Sequence, residues 1–197
     1  MMTRKTDKTR SKIQSAFLEL LEEKRIGAIS AKEIMEKAGG TRTTFYNHFQ
    51  DIYDLRDTII NDTINDMKTI INDFFHSRSK ISDWHDIYEL NYLRFRYIYE
   101  RQSLFRTLFS KPCFKDFKIR LRDTMNANLS RQFQNYYSSY IEFSGKNNEY
   151  YTYVMATAFI GSIEYWIMND FRISPEMISR YFTRGFFQDL GMSLPPR

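Results

Sequence analysis

The sequence predicts an all-α protein, and two observations carry this prediction. Apolar residues recur at intervals of three and four along most of the chain, and no segment alternates apolar and polar residues as a half-buried strand does. The chain has only seven glycines and four prolines, whereas turn-rich β folds use these residues often. Apolar residues make up 42% of the composition and aromatic residues 17%, so the chain can bury a core and is not disordered.

The first helix is predicted over residues 9–24. Its apolar residues form one stripe: Ile13, Ala16, Phe17, Leu20 and Leu21. Residues 1–50 hold ten basic and six acidic residues, so most of the net charge of +5 belongs to this quarter of the chain. The basic residues before and within the first helix are typical either of an arm that touches phosphates or of a solvated terminus.

The second helix is predicted to begin after Ser30. Ser30 and Glu33 have the spacing of a capping box, in which each side chain binds the backbone N–H of the other residue. The helix is short, because Gly39 and Gly40 permit the positive φ angles of a tight turn.

The third helix is predicted over residues 42–49, with Thr41 as its N-cap. Phe45 and Phe49 are one turn apart and are predicted to face inward, while the other faces are polar. A capped short helix, a glycine turn and a second short helix are typical of a helix-turn-helix.

The rest of the chain is predicted to be helical as well. Asp51 caps the fourth helix, whose two apolar stripes indicate that it is widely buried. Ser110, Pro112, Gly145 and Pro175 interrupt the later helical patterns. The predicted helices cover residues 51–75, 83–102, 103–111, 114–142, 147–170 and 175–190.

The residue types argue against an enzyme. His48, His76 and His85 have no metal-ligand spacing, Cys113 has no evident base, and no glycine-rich loop is suited to phosphate. We therefore expect no metal and no cofactor.

The sequence also indicates a compartment. A single cysteine cannot form an internal disulfide, and no apolar N-terminal stretch resembles a signal peptide, so we expect a cytoplasmic protein. The most apolar stretch, residues 152–169, carries Glu164 and is too short for a membrane span. We interpret it as a buried helix.

The third helix carries side chains suited to DNA. Arg42 could bind the O6 and N7 of guanine, and Thr43 could contact a thymine methyl group. Tyr46, Asn47 and His48 could reach bases or phosphates. On these residues alone, a solvated helical hairpin is an equally good interpretation.

A resemblance favours the first interpretation. Residues 38–49, Ala-Gly-Gly-Thr-Arg-Thr-Thr-Phe-Tyr-Asn-His-Phe, followed by Asp51 and Leu55, resemble the signature of the TetR family of bacterial transcription regulators. The match covers about the first 60 residues. The resemblance implies a helix-turn-helix domain over residues 1–50, with the start of helix four to about 56, and a larger sensor and dimerisation domain over residues 51–197.

The resemblance also implies roles for single residues. Thr41, Arg42 and Thr43 take positions that read bases, whereas Tyr46 and His48 take positions that contact phosphates. Ser30 begins a helix whose N-terminus meets the DNA backbone.

Two positions depart from the family pattern. Gly40 stands where the family usually has an apolar branched residue, so we expect a packing loss of roughly 1 kcal/mol and a looser third helix. Ile52 stands where a phosphate-binding lysine is frequent, a loss for which Arg56 could compensate. These departures leave a second hypothesis, an adaptor of TetR type that binds another regulator instead of DNA.

The resemblance implies a ligand cavity among the helices of residues 83–142. An aromatic stripe at helical spacing is the candidate lining: Trp84, Tyr88, Tyr92, Phe95 and Tyr99. Glu89, Asn91 and Gln102 could add polar contacts to an unknown small-molecule effector. Ordinary core packing is the alternative interpretation of such a stripe.

Small residues among large apolar ones over residues 147–170 would allow close packing of another helix. Together with residues 175–190 this segment resembles the four-helix dimer interface of the family. We therefore expect a homodimer that binds an inverted-repeat operator, with repression as the expected mode.

Overall fold

The structure is a computed structural model that describes residues 3–78, 84–132 and 147–189. The all-α prediction is confirmed, since this part of the chain contains no strand. Two short 3-10 turns, Ile26–Ala28 and Pro112–Phe114, separate longer helices. The α-helices are α1 (Thr3–Glu23), α2 (Ala31–Ala38), α3 (Arg42–Tyr46), α4 (Ile52–His76), α5 (Trp84–Tyr99), α6 (Gln102–Ser110), α7 (Phe117–Gln132), α8 (Asn147–Met168) and α9 (Pro175–Asp189).

The chain divides into two compact units. Unit 1 comprises Met1–Thr63 and Arg106–Lys115, and unit 2 comprises Ile64–Phe105 and Asp116–Arg197. The division falls within α4, so this helix contributes its first half to unit 1 and its second half to unit 2.

Unit 1 is built around the packing of α1 on α2 and of α2 on α3. Ile13 and Phe17 from α1 are fully buried, as are Ile34 from α2, Phe45 from α3 and Leu55 from α4. Ile13 and Phe17 belong to the stripe predicted for α1, and burial of apolar surface of this kind is the main force that holds the unit together.

An ion pair also joins α1 to α4 within unit 1. Arg10 donates from Nη2 to both carboxylate oxygens of Asp62, at 2.8 and 2.9 Å, and Gln14 donates to the same carboxylate at 2.8 Å. Both members of the ion pair are about two-fifths exposed, so its contribution to stability is small. The Arg10 side chain is therefore bound within unit 1 and is not part of a solvated basic arm.

In unit 2, α7 packs on α8 and α5 packs on α9. Aromatic rings fill the space between these helices. Phe95 from α5 lies 5.2 Å from Phe159 and 5.7 Å from Trp166, both on α8, between ring centroids. The indole N–H of Trp166 donates to the carbonyl of Ile173 at 2.7 Å, so this buried polar group is satisfied.

Some helix ends differ from the prediction. The third helix ends at Tyr46 and not at Phe49, because the His48 N–H turns inward to the Phe45 carbonyl, three residues back, and tightens the last turn. The helix predicted from residue 114 begins at Phe117, after the 3-10 turn. Its predicted continuation over residues 133–142 lies outside the described residues.

Across the three described ranges, no helix combines the length and the apolar character needed to cross a lipid bilayer.

Candidate functional site

The hairpin of α2 and α3 begins with the predicted capping box. The Glu33 N–H donates to the Ser30 hydroxyl oxygen at 3.3 Å, and the Ser30 N–H donates to the Glu33 carboxylate at 2.9 Å. The Ser30 hydroxyl also donates to that carboxylate at 2.7 Å. The first turn of α2 is therefore held by three local hydrogen bonds.

Glu33 links α2 to the end of α1. Its carboxylate accepts a hydrogen bond from Lys24 Nζ at 2.5 Å. This bond, together with the hydrogen bonds from the hydroxyl and the N–H of Ser30, lowers the pKa of Glu33 to about 2, and the same contact raises the pKa of Lys24. The carboxylate thus stays ionised at any physiological pH.

The two glycines of the turn between α2 and α3 have different roles. One allows a backbone conformation, and the other leaves room for a neighbouring side chain. Gly39 has a φ of +74°, which an L-residue with a side chain rarely adopts. Gly40 has no such φ, but a Cβ atom built on it would lie 2.3 Å from the Cε of Met35.

A packing loss was expected at Gly40, but the structure shows no empty space beside this glycine. Met35 is only 3% exposed, and its methyl group occupies the space beside Gly40. A flexible methionine from α2 therefore fills the place that a branched residue would take in the turn.

Two phenylalanines anchor α3, as predicted. Phe45 is 0% and Phe49 is 2% exposed, and their ring centroids are 5.7 Å apart. Although α3 ends at Tyr46, the Phe49 N–H still donates to the Phe45 carbonyl at 2.9 Å, so Phe49 continues the same inward face. The two rings determine which way the short helix faces.

The opposite side of α3 is exposed. Arg42 and Thr43 reach solvent, and Tyr46 is 51% exposed with its ring 5.9 Å from the Arg42 guanidinium. Asn47 is exposed as the C-cap, and His48 is half-buried beside Phe49. These side chains together offer hydrogen-bond donors on one side of a short helix.

Thr41 and Ser30 differ from the other predicted site residues. Both are exposed, but their hydroxyls serve as caps: the Thr44 N–H donates to Thr41 Oγ1 at 3.3 Å, just as the Glu33 N–H donates to Ser30. Their side chains therefore position α2 and α3 in the structure as it stands.

The start of α4 carries an exposed tyrosine that the sequence analysis did not identify. Asp51 caps the helix by accepting from the N–H groups of Tyr53 and Asp54, at 2.7 and 2.8 Å. Tyr53 is 55% exposed, whereas Ile52 is half-buried. Arg56 donates from Nε to the side chain of its neighbour Asp57 at 2.9 Å. The signal in the sequence was a tyrosine two residues after the Asp51 cap, which places it in the first turn of the helix.

Unit 2 contains a small internal cavity of about 40 Å³. Of the described residues that line it, three have polar side chains, Asn91 and Arg94 from α5 and Asn128 from α7. The other described residues of the wall are apolar and come from α4, α5, α7, α8 and α9: Ile71, Phe75, Ile87, Leu90, Met125, Leu129, Met155, Ala156, Phe159 and Phe182.

The predicted aromatic stripe does not line this cavity. Tyr88 lies between Trp84 and Tyr92, with ring centroids 6.3 Å from each. Phe95 is buried in the aromatic core, and Tyr99 stacks on Trp166 at 5.7 Å. The cavity is lined instead by the neighbouring face of α5.

Of the polar residues proposed with the stripe, Asn91 lines the cavity. Glu89 accepts from Arg78 Nη2, and Gln102 begins α6. Arg94, a cation in the cavity wall, was missed. The sequence could have indicated it, because Arg94 lies three residues after Asn91, on the apolar helix face that also holds Ile87 and Leu90.

The outer face of α8 and α9 is apolar. Seven of the eleven large apolar side chains that are exposed in the described chain lie on these two helices, including Tyr165 (57%), Met168 (83%) and Tyr181 (57%). An open groove of about 550 Å³ runs along this face, and its lining includes Gly161 and Gly185.

Comparison with known proteins points in one direction. Residues 82–187, more than half of the chain, match the family model TetR_C_8, described as a transcriptional regulator C-terminal region. None of the curated proteins matches the sequence.

Several solved structures share the fold. A TetR-family transcriptional regulator from Syntrophomonas wolfei has a TM-score of 0.75 at 15% identity, over 97% of this chain and 99% of that one. The dihydroxyacetone kinase operon activator DhaS has a TM-score of 0.66 at 22% identity, over 94% and 98%. FadR of Bacillus subtilis in complex with stearoyl-CoA has a TM-score of 0.61 at 15% identity, over 88% and 95%.

Proposed function

Because the chain belongs to the TetR family of transcriptional regulators, we propose that it is a cytoplasmic homodimer that represses transcription by binding operator DNA through α3, under the control of a ligand in unit 2. The observation that carries the DNA-binding proposal is the two-sided character of α3. Phe45 and Phe49 fix the helix from within, and Arg42, Thr43 and Tyr46 are presented to solvent.

The proposed contacts follow from the side-chain chemistry. Arg42 binds the O6 and N7 of a guanine, and Thr43 contacts a thymine methyl group. Tyr46, Asn47 and His48 bind phosphates and so set the register on the duplex. Ser30 and Thr41 hold the N-termini of α2 and α3 toward the DNA backbone through their caps.

Dimerisation is supported by the apolar face of α8 and α9. An apolar surface of this kind on one protein usually marks an interaction site, and a second copy of the same face would bury it symmetrically. A two-fold dimer presents two copies of α3, and these match an inverted repeat with half-sites about one helical turn apart.

Ligand control is supported by the position of α4. Ile71 and Phe75 from its second half line the cavity, while its first half belongs to unit 1. We propose that a ligand in the cavity displaces the second half of α4, and that this movement changes the spacing of the two α3 helices in the dimer.

Selection of bound sequences from random DNA tests the proposal. We expect an inverted repeat to be enriched, with an affinity whose logarithm falls linearly with the logarithm of salt concentration. Arg42→Ala should lose sequence preference, whereas Tyr46→Phe should weaken binding evenly across sequences.

Arg172→Ala is the matched control, since Arg172 is an exposed arginine of unit 2, and it should bind as the wild type does. Recovery of no inverted repeat, with and without cell extract, would refute DNA binding and favour the adaptor hypothesis.

A further inference from the structure

We propose that the cavity of unit 2 recognises an amphipathic monocarboxylate, whose carboxylate binds Arg94 and whose apolar body lies against the remaining wall. This inference deepens the proposed function and rests on its premise that the cavity receives the controlling ligand. It names the chemical class of that ligand.

Arg94 gives the cavity its charge preference. It is only 5% exposed, and it is the one ionisable side chain among the described residues that line the cavity. In surroundings of low polarity, a guanidinium attracts an anion and repels a cation more strongly than it would in water. An anionic group on the ligand therefore gains a charge-assisted hydrogen bond there.

The guanidinium is held in place before any ligand binds. Its carbon lies 4.5 Å from the centre of the Phe159 ring, a cation–π contact, and Nη2 donates to the side-chain oxygen of Asn91. A planar guanidinium fixed in this way fits the two oxygens of a carboxylate at little further entropic cost.

One of the contacts that Arg94 makes is weak, and we propose that a carboxylate replaces this one. Arg94 Nη1 lies 4.0 Å from the sulfur of Met125, and a thioether sulfur is a poor hydrogen-bond acceptor. Exchange of this sulfur for a charged oxygen strengthens the bond. Among the described residues of the wall Arg94 is the one cation, so a monoanion is matched in charge, whereas a phosphate monoester would bring nearly two negative charges into an apolar cavity.

The cavity is too small for a whole ligand unless its wall rearranges. A volume of about 40 Å³ holds little more than a carboxylate-sized group, while drug-sized ligands occupy several hundred Å³. Met125 and Met155 lie in the wall, and methionine side chains rearrange readily. Movement of these side chains makes room for the apolar body.

Arg94 is also connected to the proposed dimer helix α9. The Asn91 side chain that accepts from Arg94 donates from Nδ2 to the Thr183 hydroxyl at 2.9 Å. The Thr183 hydroxyl in turn donates to the Ser179 carbonyl at 2.7 Å, and all of these groups are buried. A carboxylate that reorients Arg94 therefore disturbs a hydrogen-bonded chain that ends on α9.

The test measures binding to the purified full-length protein by calorimetry and by the shift of its Tm. The probes are hexanoate, decanoate and 4-phenylbutanoate below micellar concentrations, each paired with the alcohol of the same skeleton. We expect at least one carboxylate to bind roughly tenfold or more tightly than its alcohol, the scale of a charged hydrogen bond. Equal affinity within every pair, or no binding of any carboxylate, overturns the proposal.

Variants of Arg94 test the residue itself. Arg94→Met should reduce the affinity for the preferred carboxylate to that for its alcohol, while Arg94→Lys, which keeps the charge without the fork, should fall between. The matched control is Arg96→Met, since Arg96 is exposed on the same helix. If Arg94→Met does not fold, Arg94→Lys decides: unchanged preference for the carboxylate overturns the proposal.

The two proposals fail separately. Salt-sensitive binding of a selected inverted repeat without carboxylate binding leaves the regulator proposal intact and removes this inference. Carboxylate binding that depends on Arg94, without DNA binding in any condition, supports the charge preference and removes the operator proposal.

Discussion

Substitutions at positions 35 and 40, made singly and together, should reveal how the helix-turn-helix compensates for its glycine. In the structure, a Cβ on Gly40 would lie 2.3 Å from the Met35 methyl carbon, whereas carbon atoms in contact are about 3.5–4.0 Å apart. Gly40→Val therefore forces that methyl group to move by more than about 1 Å. Because the methyl group ends a flexible side chain, we expect a cost near the lower end of the usual 1–3 kcal/mol for overpacking, about 1 kcal/mol.

Met35→Ala should cost about 2–4 kcal/mol, because it removes a side chain that is 3% exposed and leaves a cavity. In the double variant the valine at position 40 no longer meets the methionine and partly refills its space. We therefore expect the double variant to be about 1–2 kcal/mol more stable than the sum of the two single effects, a coupling of the size found between residues in contact.

The measurement is the free energy of unfolding in urea, with hydrogen exchange of residues 31–49 as a local probe of unit 1. Gly27→Val is the matched control, since nothing lies within 4 Å of a Cβ at Gly27. Like Gly40→Val, it lowers the conformational entropy of the unfolded chain. Its effect on the free energy of unfolding should simply add to that of Met35→Ala. Additivity of Gly40→Val with Met35→Ala, to within about 0.5 kcal/mol, would refute the compensation.

Four further outcomes are expected. Phe45→Ala should cost about 3–5 kcal/mol and speed hydrogen exchange in α1–α3; a loss below about 1 kcal/mol would contradict the burial of this ring. Ser30→Ala should cost about 1 kcal/mol by removing the cap, seen as faster exchange of the Glu33 amide, and unchanged exchange there would count against the capping box. The stability that Glu33 adds, measured against Glu33→Gln, should be complete above its ordinary pKa of 4.5 and disappear as the pH falls through about 2, because the folded state lowers this pKa; a difference that does not vary with pH would contradict the contact with Lys24. Tyr181→Glu should shift the protein toward monomers in sedimentation equilibrium, and an unchanged mass would place the dimer interface elsewhere.

Much of unit 1 could be predicted from the sequence because its determinants are local. The capping box joins residues three apart, Phe45 and Phe49 lie one turn apart, and a left-handed turn needs glycine at position 39. None of these requires knowledge of what packs against the hairpin. The end of α3 was predicted three residues too far along the chain, because a helical stripe continues through Phe49 although the backbone tightens after Tyr46.

The cavity of unit 2 could not be located in the same way. Helix α5 carries large apolar or aromatic residues on more than one face, so periodicity offered Trp84, Tyr88 and Tyr92 as readily as Ile87 and Leu90. The choice between these faces depends on where α8 and α9 pack, and the first of these helices begins at Asn147, 48 residues after the end of α5 at Tyr99.

Local patterns in the chain were thus enough to establish an all-α protein, its caps and the outward face of α3, since each depends on neighbours within one or two helical turns. Long-range packing alone assigned Arg94 to a cavity wall that α4, α7, α8 and α9 complete. The physical reason is that a protein interior is close-packed by side chains from distant parts of the chain. The local sequence pattern does not reveal which of these side chains will be neighbours.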